Sequence, residues 1–131
     1  MQNIAFTYKT RVRYKDVDAM GIVYYSRYYE FFEAARTDML RELGLPYSEF
    51  EASGFIMPVV ESKCRYIKSA KFDQLLRIYC SIEEKPRVKL KINYIVEDEE
   101  GERIAKGYTI HAFLDKNRKV RRAPEHFLEL F

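Results

Sequence analysis

Apolar and polar positions alternate at the start of the chain. Phe6, Tyr8, Thr10, Val12 and Tyr14 fall on one side, and Thr7, Lys9, Arg11 and Arg13 on the other. This period of two predicts a strand with one half-buried face. From about Ser26 to Leu43 the period lengthens. Tyr28, Phe32, Ala35, Met39 and Leu43 recur at three- and four-residue steps, and Phe31 and Leu40 widen the stripe. Arg27, Glu30, Arg36, Arg41 and Glu42 fall mostly elsewhere, so the segment reads as a long amphipathic helix. Ser26 is placed to cap its start, and Gly44 followed by Pro46 stops it. Residues 47–53 read as a short helical turn ended by Gly54.

Four more strands follow, from about Ile56 to Ile67, Leu75 to Glu83, Val88 to Val96 and Arg103 to Leu114. The third is the most regular, with Val88, Leu90, Ile92, Tyr94 and Val96 set against Lys89, Lys91 and Asn93. Asp98-Glu99-Glu100-Gly101 reads as a hairpin loop, and Asp115-Lys116-Asn117 turns the chain into a basic tail. One long helix and five strands give an α+β fold. The helix buries its stripe against an antiparallel five-stranded sheet, with strands linked in sequence and the first strand joining them. A single helix leaves sheet edges or a sheet face uncovered, which predicts at least a dimer.

Length and composition narrow the classes. At 131 residues the chain is read as a single domain, 1–131, with enough apolar content for one core. The net charge of +3 is too mild for a nucleic-acid surface, and the basic residues form no stripe with interleaved aromatics. Cys64 and Cys80 lie among apolar neighbours in predicted strands and read as buried free thiols. No Cys/His cluster has metal-ligand spacing, so no metal is expected. No apolar run is long enough to span a membrane and no secretory pattern opens the chain, which predicts a cytoplasmic location.

The chemistry concentrates between the first strand and the helix, in Tyr14-Lys15-Asp16-Val17-Asp18-Ala19-Met20-Gly21-Ile22-Val23-Tyr24-Tyr25. Two carboxylates and a glycine share a tight loop at a helix N-terminus. A carboxylate can act as nucleophile or base, and helix-end N–H groups can hold an oxyanion. One segment thus supplies both halves of an acyl-transfer site.

These residues resemble the hotdog-fold acyl-CoA thioesterases, in particular the YbgC-like and 4-hydroxybenzoyl-CoA thioesterase group. The resemblance runs from about Tyr8 to Pro124. It rests on Asp16-x-Asp18-x-x-Gly21-Ile-Val-Tyr24, Tyr28 and Glu33-Ala34-Ala35-Arg36. Downstream it includes Pro58-Val59-Val60, Cys64-Arg65-Tyr66, Ala70-x-Phe72-Asp73-x-Leu75-Leu76 and Phe113-Leu114-Asp115. It implies a hotdog fold, with the sheet wrapped around one central helix, and an enzyme of acyl-CoA and lipid metabolism that needs no cofactor beyond the coenzyme A of its substrate. It also implies a homodimer that assembles to a homotetramer. Two positions depart from the group: Tyr25 stands where many members carry a histidine, and Ser69 where a proline often precedes the alanine. A mechanism through a local histidine is therefore not available.

Residue by residue, the resemblance puts catalysis on Asp18, as nucleophile or as base toward water, and leaves Asp16 structural. Gly21 brings backbone close to substrate, and the backbone N–H of Tyr25 polarises the thioester oxygen. Tyr24 and Tyr28 border the substrate, while Glu61 and Ser62 lie on a strand that can line the acyl end of a neighbouring subunit's pocket. Lys68 and Lys71 in one loop, and Arg118, Arg121 and Arg122 in the tail, are candidates for the coenzyme A phosphates. His111 reads as a structural histidine. Two other functions use the same fold: a thioesterase acting on an acyl carrier protein, and a non-catalytic acyl-binding subunit linked to envelope or lipid machinery. The acyl group is open between short or medium aliphatic and aromatic chains.

Overall fold

A computed structural model describes residues 4–131. Its elements in chain order are β1 (Ile4–Arg11), α1 (Arg27–Glu42), α2 (Tyr47–Ala52), β2 (Val59–Tyr66), β3 (Leu75–Ile82), β4 (Lys89–Glu97), β5 (Arg103–Ala112) and α3 (Glu125–Leu128). The five strands form one antiparallel sheet in the order β1-β3-β4-β5-β2. This is the expected α+β architecture, but the strands are not paired simply in sequence. β3, β4 and β5 form successive hairpins, β1 adds beside β3, and β2 crosses to the far edge beside β5. The reason is that α1 lies between β1 and β2 in the chain and packs against the β1–β3 half of the sheet.

The registers place Phe6, Cys80, Tyr94, Gly107 and Cys64 in one row across the face toward α1. The next row holds Tyr8, Ile78, Val96, Ala105 and Tyr66. Phe32 of α1 is fully buried and stacks on Tyr94, with ring centroids 4.2 Å apart. The helix comes this close because Gly107 has no side chain. A Cβ there would meet Phe32 Cε2 at 3.1 Å and the Lys63 carbonyl at 2.1 Å. The second contact is with rigid backbone of the edge strand, so any side chain at this position must push β2 away from β5.

The helical stripe is buried as its spacing predicts, through Tyr28, Phe31, Phe32, Ala35, Met39 and Leu40. Arg36, assigned above to the polar side, is buried as well. It follows Phe32 by four residues and precedes Leu40 by four, which puts it on the same stripe. β1 stops at Arg11 instead of reaching Tyr14, because Tyr14–Asp16 closes into a 3-10 turn. Tyr14 is consequently 77% exposed and stacks on Phe72 at 3.9 Å. Ser26 makes no side-chain capping bond and is itself helical. The winding begins earlier, where the N–H groups of Arg27, Tyr28 and Tyr29 donate to the carbonyls of Tyr24, Tyr25 and Ser26. β2 is shorter than predicted and slips register between Val59 and Glu61.

A buried polar chain crosses the core. The Nδ1–H of His111 donates to the Met57 carbonyl at 3.1 Å, so its Nε2 accepts from the Thr109 hydroxyl at 2.9 Å. The Thr109 oxygen in turn accepts from the Tyr94 hydroxyl at 2.7 Å. Burial lowers the His111 pKa to about 4. Cys80 is a buried free thiol, as expected, but Cys64 is only half-buried.

Two consequences are testable. An unfolded histidine titrates near 6.5 and the folded one near 4, so the unfolded chain binds the extra proton between those values. Stability should therefore fall as pH drops through that window, by up to about 3 kcal/mol in total. Urea unfolding from pH 7 to pH 4 should show this slope, and His111→Gln should flatten it. Separately, Gly107→Ala should destabilise the fold by roughly 1–3 kcal/mol through overpacking against β2, read by thermal unfolding.

Candidate active site

The loop after β1 is a small closed ribbon. Val17 bridges Val23, the Asp18 N–H donates to the Ile22 carbonyl at 3.0 Å, and the Gly21 N–H returns to the Asp18 carbonyl at 2.9 Å. Gly21 closes this turn at φ +78°, in the left-handed region that a glycine occupies without strain. Asp18 Oδ1 accepts the Met20 N–H at 2.8 Å. One carboxylate oxygen is thus fixed by the turn, and among the described residues the other has no hydrogen-bond partner. Asp18 is half-buried.

Asp16 behaves differently. It is 2% exposed, accepts the Arg13 N–H at 2.9 Å and pairs with Lys15 Nζ at 3.3 Å. Its carbonyl accepts the Tyr24 N–H at 2.8 Å. Asp16 therefore ties the loop to the start of the helical winding and is committed to that task.

Asp18 borders a cleft of about 440 Å³ together with Met20, Ile22, Val23, Tyr24, Tyr25, Tyr28, Tyr66, Ile67, Lys68 and Ser69. The N–H of Tyr25 lies at the first turn leading into α1, and among the described residues it has no acceptor. The positive end of the helix dipole is centred on such unpaired N–H groups. The cleft thus brings together a carboxylate, a free N–H donor and an aromatic wall. Tyr28 packs edge-on against Tyr66 at 5.4 Å, and its phenol is pushed up to about 12 by burial. Tyr24 and Tyr25 lie 4.6 Å apart; the Tyr24 phenol is raised, first by its hydrogen bond with Tyr25. The Tyr66 hydroxyl donates to the Tyr25 carbonyl at 3.2 Å and steadies the winding at the mouth.

The other expected residues are placed as follows. Lys68 lines the cleft and its ammonium pairs with Glu102 of the β4–β5 hairpin. Lys71 is exposed beside the same loop, where its backbone bridges Ile22. Arg118, Arg121 and Arg122 follow β5, whose other end carries the Ala105–Tyr66 pairing beside the cleft, so within one protomer they lie at the opposite end of the strand. Arg121 Nε is engaged by Asp115 at 2.7 Å, while Arg122 opens onto a wider depression of about 800 Å³ beside Arg87 and Glu125. That depression is larger than the Asp18 cleft, but it mixes charged side chains of both signs, and the carboxylate at its helix start, Glu125, opens only the four-residue α3. Glu61 sits on the sheet face away from α1, where its Oε2 accepts the Tyr108 hydroxyl at 2.7 Å. Ser62 faces α1 but lines a second, smaller cleft.

Tyr66, which the sequence offers with Phe32 and Phe55 as an aromatic setting pocket depth, does line the cleft, and Ile67 beside it was not singled out. The signal was present in the apolar end of β2, but its position opposite Tyr28 follows only from the crossing of β2 to the far edge. Among the described residues one carboxylate group has the spacing for a cation, Asp98, Glu100 and Glu102. Asp98 Oδ1 is already engaged by the N–H groups of Glu100 and Glu102, which shape the hairpin.

Known proteins share the sequence pattern and the fold. Acyl-CoA thioesterase YbgC of Haemophilus influenzae is 36% identical over 85 residues, covering 64% of this chain and 62% of the relative. A hypothetical protein from Aquifex aeolicus superposes with a TM-score of 0.90 at 34% identity, covering 95% of this chain and 98% of that one. The structure of a gentisyl-coenzyme A thioesterase superposes with a TM-score of 0.84 at 29% identity, covering 92% and 98%. The profile of the Thioesterase-like superfamily spans residues 12–131, a stretch that takes in the Asp18 turn, the central helix and four of the five strands, and this chain belongs to that superfamily, with its hotdog fold.

Proposed function

We propose that this protein hydrolyses acyl-CoA thioesters, with Asp18 as the reacting carboxylate and the Tyr25 N–H as oxyanion donor. The observation that supports the reading is that Asp18 and Tyr25 border one cleft, and that among the described residues one Asp18 oxygen and the Tyr25 N–H have no hydrogen-bond partner. In one route an Asp18 oxygen attacks the thioester carbon and the C–S bond breaks. The thiolate leaves and takes a proton, and water then cleaves the anhydride. In the other, Asp18 takes a proton from water as the water oxygen attacks, and that proton passes to the departing sulfur. In both, negative charge gathers on the carbonyl oxygen, where a preorganised N–H is worth most. Lys68 and Lys71 are at hand at the mouth for phosphates of the nucleotide. The tail arginines serve if a second subunit brings them near.

The edge of the sheet supports a dimer. β2 is eight residues long and unpaired on one side, and Val59, Val60, Tyr66 and Ile67 are exposed along or beside it. An open edge of this length with apolar residues at both ends is a template for pairing, and Glu61, Lys63 and Arg65 along it set which partner strand it accepts. A second substrate reading rests on the exposed Met20 and the Tyr14–Phe72 stack, which flank the cleft near Lys68 and Lys71. That mixture of apolar and basic surface suits an acidic acyl carrier protein.

Thiol release from a panel of aliphatic and aromatic acyl-CoAs should be lowered at least roughly 100-fold by Asp18→Asn, with thermal stability retained. Equal release by both proteins would overturn the assignment. Tyr25→Phe and Tyr25→Ala, which keep the N–H, should stay within about threefold and tenfold of wild type, while Tyr25→Pro, which removes the N–H as well as the ring and fixes φ, should lose roughly 100-fold with thermal stability retained. Light scattering should give at least twice the protomer mass. Faster turnover of a matched acyl-carrier substrate than of the acyl-CoA would favour the carrier reading.

A further inference from the structure

The proposed oxyanion donor sits at the loosest bond of the helical winding. The Arg27 N–H reaches the Tyr24 carbonyl at 2.9 Å and the Tyr29 N–H reaches that of Ser26 at 3.2 Å, but the Tyr28 N–H reaches the Tyr25 carbonyl only at 3.4 Å. A backbone N–H···O bond is best near about 2.9 Å, so the local tie on residue 25 is weak. A donor stabilises developing charge only if its direction is fixed before the reaction. The winding does not supply that by itself.

A second bond comes from the sheet. The Tyr66 hydroxyl donates to the same Tyr25 carbonyl at 3.2 Å, across 41 residues of chain. Among the described residues it is the only side-chain hydrogen bond made to the backbone of residues 24–26. Tyr66 is anchored well enough to act as a clamp. It ends β2, where it pairs with fully buried Ala105 of β5. Its ring packs edge-on against Tyr28 at 5.4 Å and against Tyr25 at 6.4 Å. Burial, and then the Cys64 thiol beside it, push the Tyr66 phenol up, so it keeps its proton and remains a donor at neutral pH.

We infer that Tyr66 is a positioning residue for the reaction: its hydroxyl holds residue 25 so that the Tyr25 N–H points into the Asp18 cleft. This rests on the thioesterase reading and adds to it a group on β2. The two parts of the side chain then have separate tasks. The ring lines the cleft and touches what binds there, whereas the hydroxyl is spent on the Tyr25 carbonyl. Loss of the ring affects substrate binding. Loss of the hydroxyl affects the aim of the donor, which matters most when charge develops on the carbonyl oxygen. The direction of an N–H at a helix start is thus set from the far edge of the sheet.

The test is a double-mutant cycle on acyl-CoA hydrolysis, with wild type, Tyr66→Phe, Tyr25→Pro and the double variant. Tyr66→Phe keeps the ring and removes only the hydroxyl. It should lower kcat roughly tenfold and leave KM within about twofold, with Tm unchanged. In the Tyr25→Pro background there is no N–H to aim, so Tyr66→Phe should cost less than about twofold. A tyrosine that served only the fold would show no such dependence on position 25. If wild type is active and Tyr66→Phe matches it, or raises KM with kcat unchanged, the thioesterase reading stands and this inference falls. Equal losses from Tyr66→Phe in both backgrounds would also overturn it, since the hydroxyl would then act without the Tyr25 N–H. If wild type releases no thiol from any acyl-CoA, the thioesterase reading falls and this inference with it.

Discussion

The depth at which α1 sits in the sheet governs the rest of the molecule. Phe32 stacks on Tyr94 because Gly107 leaves room, and Met39 lies against Cys80 further along. With the helix pinned at these points, its N-terminal winding can only fall at the end of the sheet where β1 runs out. There the ribbon from Val17 to Val23 turns back, and Asp16 ties the two together by accepting the Arg13 N–H and offering its carbonyl to Tyr24. The positions of Asp18 and the Tyr25 N–H are therefore consequences of core packing some residues away. A carboxylate on a loop becomes a defined group because the helix beside it cannot shift.

The division of labour between the two aspartates follows from the same packing. Asp16 is buried and spends its oxygens on backbone and Lys15, whereas Asp18 keeps one oxygen uncommitted toward a cleft. Tyr24, Tyr25, Tyr28 and Tyr66 line the same cleft as Asp18 and make most of its wall aromatic. Opposite demands are thus met within three residues of chain: one carboxylate holds structure and the other is left able to react.

Much of this was legible in the sequence because it depends on period and spacing. The stripe of α1, the alternation of β4 and the Asp18–Gly21 turn are local patterns, and each appears where its pattern puts it. What escaped depends on partners distant in the chain. The placement of β2 beside β5, and hence of Tyr66 opposite Tyr28, is set by how the chain crosses the sheet and leaves no trace in any window of residues. Tyr14 continues an alternation that a 3-10 turn interrupts. Ser26 has the right residue type for a cap, but the helical winding starts two residues before it. Arg36 was misassigned by its charge, although its spacing from Phe32 and Leu40 marked it as inward.

The central claim is that Asp18 and the Tyr25 N–H act on one carbonyl group. A crystal structure of the Asp18→Asn protein with an intact acyl-CoA tests it most directly. The account predicts the thioester oxygen about 3 Å from the Tyr25 nitrogen, and the thioester carbon within reach of the side chain at position 18. A thioester bound elsewhere, or turned so that its oxygen points away from that N–H, would contradict it.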